Sequence, residues 1–184
     1  MFGSNVLRRA RRLIAGALCP ELVEQRDRFE RLANTDQLTG VANRRALDRA
    51  LPAAEADPHV HVVLFDANDF RPANKSCGHA TGDQLIRMMS SAIVGAATAR
   101  GFGSRVFRLG GDEFAVLASD TAAYLIRDEA EAAFGTLQIG PGLKVSISGT
   151  VGRTLAEADA ALQARKAARK GRPAAARTLQ EVKP

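Results

Sequence analysis

The apolar positions of this chain change rhythm along its length, and the rhythm predicts its elements. Over 59–65, Val60, Val62, Val63, Leu64 and Phe65 follow one another almost without a break, as in a central strand covered on both faces. Asp66 closes that run, and a polar loop is expected after it. Over 78–99 the spacing becomes helical. Leu85, Met88, Ala92, Ile93 and Ala96 are expected to face the sheet there, with the methionines in the core. Asn43 is placed to cap a helix running to about residue 55. Two short apolar runs, 105–109 and 114–118, flank Gly110-Gly111-Asp112-Glu113 and read as a hairpin. A helix over 121–134, a strand over 143–148 and a helix over 154–169 complete the series. Helices alternating with strands around one hairpin predict an α/β sandwich with a mixed sheet.

Outside this region the rhythm weakens. Residues 1–33 read as a helical lead-in whose thin apolar stripe, Leu18, Leu22, Phe29 and Leu32, is interrupted at Pro20. A domain over 34–170 begins with the turn residues Asn34 to Gly40, and 171–184 is a basic tail expected to be disordered. The net charge of +6 invites a nucleic-acid reading, but its distribution argues otherwise. Residues 1–18 carry four arginines and no acid, and 165–184 carry seven basic residues against one acid. The stretch between, 19–164, holds 15 basic and 19 acidic residues. No specific nucleic-acid partner is therefore expected, and the basic ends allow at most a peripheral contact with an anionic membrane. No apolar run approaches the roughly 20 residues needed to span a bilayer. The short apolar stretch after Arg8, Arg9, Arg11 and Arg12 is not a signal peptide. Cys19 and Cys77 form no ligand or disulfide pattern, so a reduced, cytoplasmic setting is expected.

Candidate chemistry lies where the elements end. Asp66 closes the buried strand, and Asp112 with Glu113 stands at the hairpin tip. If those strands are neighbours, the carboxylates converge at one edge of the sheet. Hard oxygen ligands held that way suit Mg²⁺, which takes one or two protein carboxylates and leaves the rest to water and substrate phosphates. Two such ions could activate an attacking hydroxyl and steady a phosphoryl transition state. Each signal also has a plain structural reading. Asp66 suits a turn, Gly-Gly-Asp-Glu a tight hairpin, and Gly78-His79 with Gly82-Asp83 a helix start with an acidic first turn.

Order and spacing decide more than any one signal. The chain carries Asp36-Gln37-Leu38-Thr39-Gly40-Val41-Ala42-Asn43-Arg44-Arg45, then Asp66 through Phe70, Asn74, and Gly78-His79-Ala80-Thr81-Gly82-Asp83. Arg108-Leu109-Gly110-Gly111-Asp112-Glu113-Phe114 follows, then Ala158-Asp159-Ala160-Ala161-Leu162. This set closely resembles the GGDEF family of diguanylate cyclases, in register over about 34–170. The resemblance implies a palm-like α/β fold of the nucleotidyl cyclase and polymerase type, with the motif on a β-hairpin. It implies a magnesium cofactor, with manganese as a substitute, held by Asp66, the Ala67 carbonyl and Asp112. Glu113, beside Asp112, resembles the family's residue linked to metal binding or to deprotonating the ribose 3′-hydroxyl. Gly110 and Gly111 would let the nucleotide lie against the hairpin backbone. Asn74 and Asp83 match the pair that reads guanine, an amide and a carboxylate suiting its acceptors and its N1–H and N2–H₂ donors. Backbone amides near Asp69 and Phe70, with Lys166, would meet the β- and γ-phosphates.

The activity so implied is condensation of two GTP molecules into cyclic di-GMP with release of two pyrophosphates. It requires a homodimer with opposed sites, and the interrupted stripe of 1–33 predicts a weak one. Several positions depart from the family pattern. Asp-x-Asp is here Asp66-Ala67-Asn68, the lysine after the phenylalanine is Arg71, and Pro72 and Lys75 are unusual in their loop. The C-terminal Ala-Leu-Tyr becomes Ala161-Leu162-Gln163, Ser-Ile-Gly becomes Ser146-Ile147-Ser148-Gly149, and Lys-x-x-Gly-Arg becomes Lys166-Ala167-Ala168-Arg169-Lys170. These leave open a catalytically silent GGDEF domain that acts as a GTP-binding or protein-interaction module. The family's Arg-x-x-Asp product site falls on Gly101-Phe102-Gly103-Ser104, so both anchors are missing, and Arg100 is one residue out of register with no acidic partner.

Overall fold

The computed structural model describes residues 20–171, and the chain divides into two compact units between Thr35 and Asp36. In the first unit the described element is helix α1 (Pro20–Asn34), none of whose residues is buried. Leu22, Phe29 and Leu32 are 64%, 69% and 51% exposed. Pro20 is the first residue of this helix, where the first turn has no use for the N–H that proline lacks; the expected interruption of the stripe there lies outside the described residues. Leu18 and the basic segment before it, like the expected disordered tail after Gly171, lie outside the described residues.

The second unit runs β1 (Ala42–Asn43), α2 (Arg44–Ala56), β2 (Val60–Asn68), α3 (Phe70–Cys77), α4 (His79–Ala99), a short 3₁₀ turn (Gly103–Arg105), β3 (Val106–Gly110), β4 (Glu113–Ser119), α5 (Asp120–Phe134), β5 (Thr136–Gly140), β6 (Leu143–Gly152) and α6 (Leu155–Lys170). The strands form a six-stranded mixed sheet in the order β1-β3-β4-β2-β6-β5. Only β1 and β3 run parallel; the other neighbours are antiparallel. Asn43 caps α2 as its sequence position suggests, its side chain accepting from the Ala46 N–H.

Strand β2 lies at the centre of the sheet, which explains its unbroken apolar run. Val63 and Phe65 join Phe114 and Val116 on one face, against Leu85, Met89 and Ile93 of α4 and Ile126 and Phe134 of α5. Val62 and Leu64 join Ala115 and Leu117 on the other, against Leu47 of α2 and Ala158 and Leu162 of α6. Phe65 and Phe114 are fully buried, and truncating either to alanine should cost about 3–5 kcal/mol. Among the described residues no helix is long and apolar enough to cross a membrane.

Four expectations are corrected. Strand β2 continues to Asn68, because Asp66, Ala67 and Asn68 stay paired with Ser148, Ile147 and Ser146 of β6 after the apolar pattern has ended. The expected polar loop is mostly helix α3, with Pro72 in its first turn, where a missing N–H costs nothing. Edge strand β5 is new, and β6 extends to Gly152. Met88 is 46% exposed while Met89 fills the core, so the buried stripe of α4 passes through Leu85, Met89, Ile93 and Ala96.

Candidate active site

The site grows from the centre of the sheet. Asp66 pairs across β2 and β4 with Glu113, and in an antiparallel ladder directly opposed residues present their side chains on the same face. Like charges directly opposite each other destabilise a sheet, so this pairing costs stability that the exposure of Glu113 moderates. Asp112 belongs to the turn that joins β3 to β4. That turn depends on Gly111, whose φ of +54° is one that few side chains tolerate. Burial pushes the Asp112 carboxyl above its ordinary range, and the neighbouring charge of Asp66 adds to the effect. Asp66 itself is only 6% exposed. Ala67 lies one residue past the last pairing of β2 with β4, opposite Ile147 of β6.

Lys166 reaches this cluster from α6, with its Nζ 2.7 Å from Asp66 Oδ2. The helix pattern explains how: Ala158 and Leu162 are buried against the sheet, and Lys166 continues their stripe one turn further. Neighbouring Arg165 donates to Glu131 Oε1 at 2.6 Å, to Glu131 Oε2 at 2.9 Å and to the Gly149 carbonyl at 2.6 Å. Glu131 also accepts the Gly149 N–H at 2.6 Å. Gly149 lies in the part of β6 beyond its pairing with β5, so these side chains satisfy backbone groups that the ladder leaves open.

Asn68, where the sequence departs from Asp-x-Asp, donates to Ser146 Oγ at 3.0 Å and Ser148 Oγ at 2.9 Å. The amide supplies the donor that ties β2 to β6, so this departure is absorbed in the scaffold. Asp69 follows with a left-handed φ of +61°, a conformation that aspartate tolerates better than most residues, and turns the chain into α3. Phe70 is buried at the start of that helix, and Asp69 forms an ion pair with Arg169 of α6.

Asn74 and Asp83 stand on α3 and α4. Asn74 Oδ1 is buried without a hydrogen-bond partner among the described residues. It lies over Gly82, where a Cβ would fall 2.4 Å from it, while Asp83, the next residue, is exposed. The absence of a side chain at 82 is what leaves room for the Asn74 amide against α4.

The hairpin is also fixed from outside. Arg108 donates to both carboxylate oxygens of Asp36, at 2.9 and 3.0 Å, and twice to the Gly111 carbonyl, at 3.0 and 2.7 Å. Burial would raise the Asp36 carboxyl, but hydrogen bonds from Thr39 and Arg108 outweigh it and hold the group below its ordinary range. An adjoining cleft of about 470 Å³, lined by Asp36, Arg44, Arg45, Asp48, Arg108 and Gly110, shares only Gly110 with the predicted site.

Thus Asp66, Asp112, Glu113 and Lys166 meet at one sheet end, while Asn74 lies against Gly82 and Asp83 stands exposed on α4. The ties Arg108–Asp36, Arg165–Glu131 and Arg169–Asp69 were not foreseen. Asp36 and Arg108 stand in quoted motifs, but nothing local shows that they meet. Arg100, expected to lack an acidic partner, pairs with Glu129 of α5.

The donor set fits a hard divalent cation: the carboxylate oxygens of Asp66, Asp112 and Glu113 gather at one sheet end, where burial first and the charge of Asp66 next raise the Asp112 carboxyl. Among the described residues no three His, Cys, Asp or Glu side chains form a ready cage, and Mg²⁺ needs none when water and phosphates complete its shell.

Comparison with known proteins identifies the family and the fold. The family described as diguanylate cyclase, GGDEF domain, matches residues 33–172. The chain is 40% identical over 109 residues to cyclic di-GMP phosphodiesterase PdeR of Escherichia coli, covering 55% of this chain and 16% of that protein. It is 32% identical over 111 residues to diguanylate cyclase VdcA of Vibrio cholerae, covering 60% of this chain and 32% of that protein. The crystal structure of the coiled coil and GGDEF domain of DgcB from Caulobacter crescentus in complex with c-di-GMP superposes with a TM-score of 0.68 at 29% identity, over 89% of this chain and 95% of that one. The chain thus spans a minor part of these two curated relatives.

Proposed function

The chain belongs to the GGDEF domain family of diguanylate cyclases, and from that premise we propose that it condenses two GTP molecules into cyclic di-GMP. The observation that carries the reading is the meeting of Asp66, Asp112 and Glu113 where β2 abuts the β3–β4 hairpin. Asp66, the Ala67 carbonyl and Asp112 are the residues that would hold magnesium. When bound, the metal supplies positive charge to the phosphates and eases ionisation of the attacking hydroxyl.

Asn74 and Asp83 bind the guanine edge, and the unpartnered Asn74 oxygen is a ready acceptor for a base N–H. The first amides of α3, after the sharp turn at Asp69, meet the phosphates together with Lys166. Gly110 and Gly111 keep the hairpin backbone open to the nucleotide. Glu113 takes the proton from the 3′-hydroxyl of one GTP. That oxygen then bonds to the α-phosphorus of the other, the bond from that phosphorus to the β-phosphate oxygen breaks, and pyrophosphate leaves. A second such step closes the ring. Each domain holds one GTP, so two chains must face each other, and α1 with its exposed stripe is the element suited to hold them. The similar DgcB structure contains a coiled coil.

A silent, GTP-binding domain is the second reading. It is favoured by the 40% identity to a protein named as a phosphodiesterase and by the altered segment from Lys166 to Lys170. Incubating the purified chain with GTP and Mg²⁺ and resolving the nucleotides by chromatography separates the two. Cyclic di-GMP formation that is lost in Asp112→Asn supports the cyclase; bound but unchanged GTP supports the silent domain.

A further inference from the structure

Lys166 is paired with a residue proposed to hold the metal. Its Nζ lies 2.7 Å from Asp66 Oδ2, and the two side chains are 27% and 8% exposed. A carboxylate as buried as Asp66 needs a counter-charge, and the ammonium supplies one. A divalent ion on the same carboxylate would stand close to that ammonium with little water between them, so the two cations compete. One turn further along α6, Arg169 pairs with Asp69, which is three residues beyond Asp66. One helix thus places two cations on two carboxylates, at Asp66 beside the metal residues and at the turn into α3.

We propose that Lys166 holds Asp66 until the metal arrives with its nucleotide, and then passes to the triphosphate, so that the chain admits the metal–nucleotide pair and resists the free ion. This rests on the metal and nucleotide reading above and adds to it an order of binding. The side-chain chemistry suits an exchange. A lysine ammonium is a point charge on a flexible four-carbon stem, whereas an arginine fork would grip a carboxylate at two points. The anchor at Arg165 keeps α6 in place while the Lys166 stem swings. The triphosphate brings the negative charge that compensates Lys166 for leaving Asp66.

The test is binding of Mn²⁺ to the full chain, read by electron paramagnetic resonance, with and without a GTP analogue carrying a methylene bridge between its α- and β-phosphorus. Lys166→Gln and Lys166→Met are compared with the unaltered chain, with folding checked by circular dichroism. Both variants should bind free Mn²⁺ about tenfold more tightly, the scale of one neighbouring charge at a partly buried site. Both should also bind the analogue several-fold more weakly in the presence of Mn²⁺. Free Mn²⁺ affinity that is unchanged or reduced in both variants, with analogue binding still weakened, would overturn the exchange and leave Lys166 as a phosphate ligand only. An unaltered chain that binds no analogue even with Mn²⁺ would instead overturn the nucleotide reading itself, and the exchange with it.

Discussion

At the scale of single residues the proposed site carries an electrostatic cost. Asp112 is held above the ordinary carboxylate range by burial and by the charge of Asp66. Ionising it therefore costs more in the folded chain than in the unfolded one. That cost is absent below the ordinary aspartate range and is present in full above the raised one, so without metal the group lowers stability as pH rises. Asp112→Asn should raise the metal-free melting temperature by about a degree or two at neutral pH while lowering cyclic di-GMP formation on the order of a hundredfold or more. Thermal melts and product assays on one preparation check both halves, and a variant that is less stable would contradict the electrostatic argument. Gly82 makes a separate case. A methyl group there meets Asn74 Oδ1 at 2.4 Å and must displace the amide. Gly82→Ala should raise the KM for GTP about tenfold, the scale of one mismatched polar group, and narrow the preference over ATP. An unchanged KM and preference would remove Asn74 from base recognition.

At the scale of elements the site depends on α6. The helix packs through Ala158 and Leu162 and is fastened by Arg165 to Glu131 and to the open edge of β6. Leu162→Ala should cost about 2–5 kcal/mol by opening a cavity in the core cluster on this face of the sheet. Arg165→Ala should cost only about 1 kcal/mol, because its ion pair is partly exposed. Its effect on nucleotide binding should nonetheless be clear, since Lys166 is then carried on a looser support. Urea melts give the stability costs, and equilibrium binding of the GTP analogue gives the rest. If Arg165→Ala binds the analogue as well as the unaltered chain, the fastening does not matter to the site.

At the scale of the whole molecule the proposed reaction needs two copies. In α1, Leu22 and Phe29 are seven residues apart and Leu32 is three further on, a heptad-like seam of exposed side chains. The seam is too narrow for a strong pair. Specific activity should therefore rise with protein concentration, and deletion of 1–33 should depress it most at low concentration. Activity per mole that stays flat over about a hundredfold dilution, and is unchanged by the deletion, would refute a weak dimer. The segment that would carry the family's product site lies at the short turn Gly103–Arg105 and just before it, and the nearby Arg100 is engaged by Glu129 of α5. Inhibition by cyclic di-GMP should accordingly compete with GTP; non-competitive inhibition would point to a product site elsewhere.

Local sequence was enough to identify the central strand covered on both faces, the cap at Asn43 and the hairpin, because each is written in spacing that neighbouring residues enforce. It also gave the ordered motifs, and with them the family. It could not show that β2 runs on through Asp66 to Asn68, since these polar residues stay in the strand through their pairing with β6, where the Asn68 amide also donates to the Ser146 and Ser148 hydroxyls. Helix α3 was hidden for a related reason: its composition is polar, and Phe70 and Ala73 reveal a buried face only once the core is assembled. The ion pairs Lys166–Asp66, Arg169–Asp69 and Arg108–Asp36 join residues separated by 72 to 100 positions, distances over which sequence carries no spacing rule. Residue types and their order belong to the sequence. Which carboxylate faces which cation was decided by the register of β2 against β4 and by the packing of α6, because only those fix where side chains from distant segments meet.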